Sequence, residues 1–284
     1  MYRRSSEHEA RAERNAVTIM DHWGICKDPV APRVCVVLGG AGWGDASLMQ
    51  PEHSFFLVPN EDWRRRPILM DFSGLKELPE HKRVVEYGHV AGKEVLVLKG
   101  RMHISEALAH PEYAFYARLQ IEMLRKMGCD TFILTSAAAS FRDTVRIGDI
   151  VVTSGFSDKF APNMPIEADE KPEPERVLDP KLQHLACEVG KSVGLRIYGG
   201  GVAMVRGPLV PILSGDISLM SLLSADVAVT SILPEATIAA LYPATKAVGL
   251  SFVSIAHDGM KYVATPEYTT KRGELLRGII AGLP

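Results

Sequence analysis

The chain has 284 residues, of which 46% are hydrophobic and 23% charged, and its net charge at pH 7 is −2. This balance is ordinary for a globular protein of one large or two small domains, and it gives no indication of a nucleic-acid or acidic-membrane partner. No apolar run reaches the roughly 18 residues of a membrane span, and the charged start has no apolar segment of a signal peptide, so we expect a cytoplasmic protein.

The N-terminal segment predicts a helix. It is charged and contains alanines up to about residue 21, and we take residues 1–30 as a helical extension of a domain that spans 31–284. After Pro32 the composition changes, because the run RVCVVL predicts a strand and the glycines behind it predict a turn.

A hairpin and a helix come next. Strands are predicted at 83–90 and 94–100, with the pair Gly92–Lys93 as the turn between them. Residues 112–127 carry apolar side chains at helical spacing, and Gly128 ends the segment as a C′ glycine does.

The rest of the chain continues to alternate between strands and helices. We predict strands at 130–140 and 147–156, a long loop with five prolines at 159–180, a helix at 180–193, further strands within 195–208, 225–230 and 247–256, a helix after the strand at 225–230, and a closing helix at 270–283. This alternation predicts a single α/β domain with a mixed central β-sheet flanked by helices.

Polar residues follow several of these strands. In such sheets, ligands bind beyond the carboxyl ends of the strands. Arg101 and His103 come directly after the strand at 94–100; a guanidinium offers a planar fork of donors to an anion, and an imidazole offers another donor. The pattern therefore predicts an anion site beyond the end of this strand.

The four cysteines are scattered and lack the spacing of metal ligands. They predict free thiols and no metal site.

Six segments together carry a resemblance to a known family. They are GAGWG (40–44), GRMHISE (100–106), LTSAAASFRDTVRIGDIVV (134–152), GPLVP (207–211), TSILPEATIAA (230–240) and LSFVSIA (250–256). In this order they resemble motifs of the trimeric purine nucleoside phosphorylases and the related methylthioadenosine phosphorylases. The resemblance covers roughly residues 33–283, and it implies a nucleoside phosphorylase-like fold.

The resemblance implies phosphorolysis. Phosphate attacks C1′ of a nucleoside, the N-glycosidic bond breaks through an oxocarbenium-like state, and the base leaves; inorganic phosphate is a co-substrate and no cofactor is needed. The residues that match the phosphate side of the family are His81, Arg101, His103, Ala137 and Ser231. Ala41 stands where the family has a serine hydroxyl, and one lost donor to a charged ligand weakens binding by about 1.5–3 kcal/mol.

The base and sugar side departs from the family. Pro211 matches the glutamate that reads the purine, Val210 the aromatic residue before it, and Ile255 the asparagine that contacts N7. The other positions that match substrate-contacting residues, or lie beside them, are Ser105, Ser136, Ala138 and Thr230. Because Pro and Ile side chains cannot exchange hydrogen bonds with a base, we expect atypical base specificity.

Three functions stay open at this stage. The first is an active N-glycosyl phosphorylase whose leaving base is protonated by His257 or Asp258, with a nucleoside or sugar phosphate as its ligand. The second is a catalytically degenerate relative that binds a nucleotide, phosphate or a partner. The third is another ribosyl transfer or hydrolysis. The resemblance also implies a homotrimer, in which Phe156 or Phe160 of a neighbouring chain closes the pocket.

Overall fold

The computed structural model describes residues 6–25, 33–39, 43–44, 46, 48–58, 82–104, 114–161, 164–167, 169–206, 218, 220, 222–256, 258 and 266–284. The strands are β1 (Arg33–Leu38), β2 (His53–Phe56), β3 (Val84–Val90), β4 (Lys93–Lys99), β5 (Cys129–Ser140), β6 (Ile150–Phe160), β7 (Ile197–Val205), β8 (Val227–Val229) and β9 (Lys246–Ile255). The helices are α1 (Ser6–Trp23), α2 (Ala114–Lys126), α3 (Pro174–Val177), α4 (Pro180–Ser192), α5 (Leu233–Ala239) and α6 (Pro266–Gly282). Among the helices of these ranges, none is long and apolar enough to cross a membrane.

The nine strands found among the described residues belong to one sheet, in the order β2-β3-β4-β1-β5-β8-β7-β6-β9. The last strand, β9, also pairs with β5, so five strands (β5, β8, β7, β6 and β9) close into a ring. Strand β5 belongs to both parts, because it pairs in parallel with β1 along its first half and with β9 along almost its whole length. The predicted mixed sheet in a single α/β domain is confirmed.

The sheet lies between two layers of helices. In β1, Cys35 and Val37 join a core with α1, α2 and α5, whereas Val34 and Val36 join a core with α4 and α6. This alternation follows from the period of two along a strand, and it explains why β1 is apolar at every position from Val34 to Leu38. Helix α1 thus contributes to the core, while the predicted boundary at residue 30 lies outside the described residues.

The predicted hairpin is confirmed, but its turn is one residue earlier than predicted. Strand β3 ends at Val90 and β4 begins at Lys93, so the turn residues are Ala91 and Gly92. Both have positive φ, at 51° and 76°. Two-residue turns with positive φ at both positions match the twist of the strands, and Gly92 adopts this conformation without the steric cost of a Cβ.

The long segment at 159–180 is more ordered than the sequence indicates. Strand β6 continues to Phe160 and a short helix occupies Pro174–Val177. Between them, Glu170 makes a bidentate ion pair with Arg118 of α2, with N–O distances of 2.7 and 2.9 Å. Desolvation lowers the pKa of Arg118, but its bonds to Glu170 and Glu122 outweigh this effect and raise the pKa above its usual range. The segment is therefore fastened to α2 by a buried charge.

Candidate functional site

The sheet opens at the middle of β5. Strand β1 pairs with β5 up to Leu134, and β8 begins to pair with the same strand at Ala139. Residues 135–138 lie between these two partners; we call this edge of the strand the β5 opening. The segments that leave β4 and β8 both arrive here, at a point where β5 changes partners within the sheet.

Arg101 fills the inner end of the β5 opening. Its side chain is 1% exposed, and its Nη1 donates to Oε1 of Glu235 at 2.6 Å. Its Nη2 donates to the carbonyl oxygens of Thr135 and Val37. The fork of donors that the sequence assigns to an anion is thus largely engaged by protein oxygens. Its Nε finds no hydrogen-bond partner within the described part of the chain.

The segment after β4 is held from the side of α2. The amide of Gln120 accepts from the backbone N–H of Met102 at 2.9 Å and donates to its carbonyl at 3.1 Å. Met102 and Ile104 are buried, as expected for the alternation, while His103 is half-buried. This two-point contact fixes the backbone between Arg101 and His103.

Two residues with hydroxyl groups, Thr230 and Ser231, directly follow β8. Thr230 Oγ1 lies 3.4 Å from His103 Nε2, and the next residue, Ser231, is 6% exposed. Ile232 then has φ 76°, a conformation that β-branched residues rarely adopt. Complete burial of its side chain in the core supports this strained turn into α5.

Backbone groups of the β5 opening face this cluster. The carbonyl of Thr135 points towards Arg101, and alternate residues of a strand direct their N–H and C=O groups to the same edge. The N–H of half-buried Ala137 is therefore directed into the opening. Gly39 approaches closely from β1, because a Cβ there would lie 3.1 Å from the Thr135 carbonyl oxygen.

Ser136 and Ala138 have a different setting from Ala137. Both are almost fully buried, and Ser136 Oγ lies 3.2 Å from Ser251 Oγ of β9. The Ser136 carbonyl accepts from Trp43 Nε1 at 2.8 Å, which ties the glycine-rich turn to β5. These contacts place the Ser136 hydroxyl in the interior of the ring rather than among the groups around Arg101.

An apolar cluster continues from the β5 opening. Ala139, two residues beyond Ala137 and on the same face, packs in a buried cluster with Phe141, Met220 and Ile255. Ala228 also belongs to this cluster, and it lies two residues before Thr230 and on the same face of the strand. The arrangement therefore has a polar end at Arg101 and His103 and an apolar end at Ile255.

Two ionisable side chains near the start of β6, away from the β5 opening, have shifted pKa values. Burial raises the pKa of Asp149, although the backbone N–H of Arg146 and the charge of Arg196 oppose this shift. Burial and the nearby Asp149 also raise the pKa of Tyr198 to about 12. These groups hold the start of β6 against β7. Among the described residues, no group of three or more His, Cys, Asp or Glu side chains could hold a metal ion.

Comparison with protein families gives a match to the phosphorylase superfamily over residues 61–274, which is more than half of the chain. The chain belongs to the phosphorylase superfamily. A curated relative of this phosphorylase-superfamily chain is purine nucleoside phosphorylase 1 from Geobacillus stearothermophilus, 23% identical over 234 residues, or 80% of each protein.

Solved structures share the fold of this phosphorylase-superfamily chain. Schistosoma mansoni purine nucleoside phosphorylase in complex with acetate aligns with a TM-score of 0.72 at 17% identity, over 98% of this chain and 97% of that one. Isoform 2 from the same organism, in complex with cytosine and ribose-1-phosphate, gives a TM-score of 0.69 at 18% identity, with the same coverage. The recognition made from sequence motifs is confirmed at the level of family and fold.

The structure describes nine of the fifteen predicted site residues. It brings together Arg101, His103, Ala137, Thr230 and Ser231, and it places Ile255 in the adjacent apolar cluster. Asp258 is exposed. The predicted residues that lie outside the described part are Ala41, His81, Ser105, Val210, Pro211 and His257.

One residue of the site is absent from the sequence-based set. Glu235 is 2% exposed and is the direct partner of Arg101. The signal was present in the segment TSILPEATIAA, because a carboxylate within an otherwise uncharged, largely apolar run is rarely buried without a cationic partner.

Proposed function

We propose that the protein catalyses phosphate-dependent cleavage of the N-glycosidic bond of a nucleoside with atypical base specificity. The observation that carries the proposal is the pairing of a polar cluster around Arg101 with an apolar cluster around Ile255 at one opening of the sheet. Phosphorolysis needs both ends, because an anion must be held on one face of the sugar while a base departs on the other. Membership of the superfamily supports the same reaction.

The phosphate end of the proposed site comprises His81, Arg101, His103, Ser231 and the N–H of Ala137. Phosphate is a co-substrate and no further cofactor takes part. Catalysis at such a site is mostly positioning and electrostatic stabilisation, since the enzyme holds the nucleophile in line with C1′ and compensates the charge that develops. Isoform 2 of the Schistosoma mansoni purine nucleoside phosphorylase, which shares this fold, was solved in complex with cytosine and ribose-1-phosphate; the latter is the sugar product of this reaction, and the complex supports the assignment.

The base end would favour an apolar or differently substituted leaving group. In the proposal, Ile255, Val210 and Pro211 line the side where a purine would be read, and none of these side chains exchanges hydrogen bonds. His257 or Asp258, just past β9, supplies the acid that protonates the departing base. The exposure of Asp258 is compatible with contact to a ligand that enters from solvent.

The assembly proposed for the protein is a cytoplasmic homotrimer. The family resemblance motivates it. Phe156 packs against two core clusters of its own chain, which leaves less of its ring for a neighbouring subunit than the sequence indicates. The side chain of Phe160 lies outside the described residues.

A second candidate function is a catalytically degenerate relative that binds a ligand without turnover. It is favoured by the enclosure of Arg101, whose charge is engaged by Glu235 and two carbonyl oxygens. A phosphorolysis assay on a panel of nucleosides separates the two candidates. The quantity measured is the release of ribose 1-phosphate. Turnover that requires phosphate supports the phosphorylase; phosphate-induced thermal stabilisation without turnover of any nucleoside supports the binding protein.

A further inference from the structure

The Arg101–Glu235 pair is a buried ion pair inside the proposed phosphate site. The Nη1–Oε1 distance is 2.6 Å, and the two side chains are 1% and 2% exposed. Both groups have lost their hydration, so each charge is stabilised mainly by the other charge of the pair. The guanidinium that would attract phosphate is therefore already neutralised by a carboxylate of the same chain.

The pair leaves hydrogen-bonding capacity unused on both sides. Arg101 Nε and Glu235 Oε2 are buried and have no hydrogen-bond partner among the described residues. A guanidinium has five N–H donors, and the Arg101 contacts with Glu235, Val37 and Thr135 use three of them. An anion can therefore bind Arg101 through the remaining donors, but its approach is opposed by the negative charge of Glu235.

We infer that Glu235 is the internal counter-ion of Arg101, that it competes with phosphate for the guanidinium, and that it thereby sets the affinity of the anion site. The inference rests on the proposed phosphate site. Glu235 acts through Arg101 and is a positioning residue, not a catalytic one. Phosphate binds against the repulsion of this carboxylate, which weakens binding and keeps bound phosphate exchangeable.

The decisive variant is Glu235→Gln. Glutamine keeps the length of the side chain and an oxygen that accepts from Arg101 Nη1, and it removes the negative charge. We expect phosphate to bind about tenfold more tightly, which corresponds to about 1.4 kcal/mol, and the KM for phosphate to fall by a similar factor. The unliganded variant is expected to melt at a lower temperature, and phosphate is expected to raise its melting temperature more than that of the wild type.

The direction of the change separates this role from a purely structural one. A variant that only loosens the site binds phosphate more weakly, whereas removal of a competing charge makes binding tighter. Glu122→Gln is the matched control, because Glu122 pairs with Arg118 at 2.9 Å and both side chains are 2% exposed. We expect this control to lower the melting temperature and to leave phosphate affinity unchanged.

Titration calorimetry with sodium phosphate at constant ionic strength, with chloride as the balancing anion, measures the affinities directly. Tighter binding by Glu235→Gln but not by Glu122→Gln supports the inference, as does binding by Glu235→Gln alone; equal or weaker binding overturns it. If neither the wild type nor the variant binds phosphate, the proposed phosphate site fails as well. Should Glu235→Gln not fold, Glu235→Asp withdraws the carboxylate from Nη1 and is expected to tighten binding by a smaller factor; the absence of any tightening there is equally decisive against the inference.

Discussion

Inosine and guanosine are expected to be poor substrates. Ile255 is 8% exposed and packs with Ala139, Phe141 and Met220, and its side chain offers no donor to N7 of a purine. Pro211 has no side-chain hydrogen bond to offer and lacks a backbone N–H. Removal of one such preorganised donor costs roughly 3 kcal/mol in the transition state. Two missing contacts therefore raise the barrier by about 6 kcal/mol, which is about four powers of ten in rate.

The assay is phosphorolysis of inosine. It measures the rate at which hypoxanthine appears and the dependence of this rate on phosphate. Efficient enzymes have kcat/KM values of about 10⁴–10⁸ M⁻¹s⁻¹, and a loss of about four powers of ten predicts a value at or below the lower end of that range, about 10⁴ M⁻¹s⁻¹ or less. Ile255→Asn returns one amide to the cluster and should raise the rate with inosine by up to about a hundredfold, at a cost in stability of about 1–3 kcal/mol for the buried amide. Ile255→Val, the matched control, should leave the rate with inosine unchanged. Efficient inosine cleavage by the wild type would refute the reasoning and would mean that other groups read the base.

Three further expectations follow from contacts away from the base. Gly39→Ala should destabilise the fold by about 1–3 kcal/mol in chemical denaturation, because its Cβ would meet β5 backbone atoms at 3.1 and 3.3 Å, whereas Gly155→Ala, with no atom within 4 Å of its Cβ, should be nearly neutral. Glu170→Ala should expose the segment between β6 and α3 to limited proteolysis and cost about 3–5 kcal/mol, because Arg118 loses its buried bidentate partner; an unchanged cleavage pattern would contradict this. The Tyr198 pKa is about 12 in the folded protein against an ordinary value of 10.0, so the contribution of Tyr198 to stability is present below pH 10 and is lost as the pH rises towards 12. In Tyr198→Phe, the free energy of unfolding should therefore fall less between pH 10 and pH 12 than in the wild type. Equal falls in the two proteins would contradict this expectation.

The order of elements could be predicted from the sequence because each element carries a local signal. Apolar runs of β-branched residues marked β1, β5 and β9, and Gly128, with φ 103°, ended α2 as predicted. Strand β2 was missed because its four residues, His53–Phe56, have no alternation that separates them from a loop. Its strand character comes from pairing with β3, which is a contact between distant parts of the chain.

The site could be predicted only in part, for a related reason. Motifs gave Arg101, His103, Ala137 and Ser231 as candidates, and these residues lie in or next to the segments that meet at the β5 opening; their roles stay a prediction. The partner of Arg101 could not be read from spacing, since Glu235 lies 134 residues further along the chain. Pairing in the core depends on which strands become neighbours, and the sequence alone does not state that β5 passes from β1 to β8 at this point.

The ring of five strands has a consequence for how the chain can fold during synthesis. Its closing strand, β9, pairs with β5 and β6, whose residues are made about a hundred positions earlier. Until residues 246–255 have left the ribosome, both strands present an unpaired edge, and such edges are templates for association with other chains. Loop closure over this distance also slows folding. We therefore expect nascent chains to need protection from association until the ring closes, and we expect truncation before residue 246 to lead to aggregation rather than to a smaller folded domain.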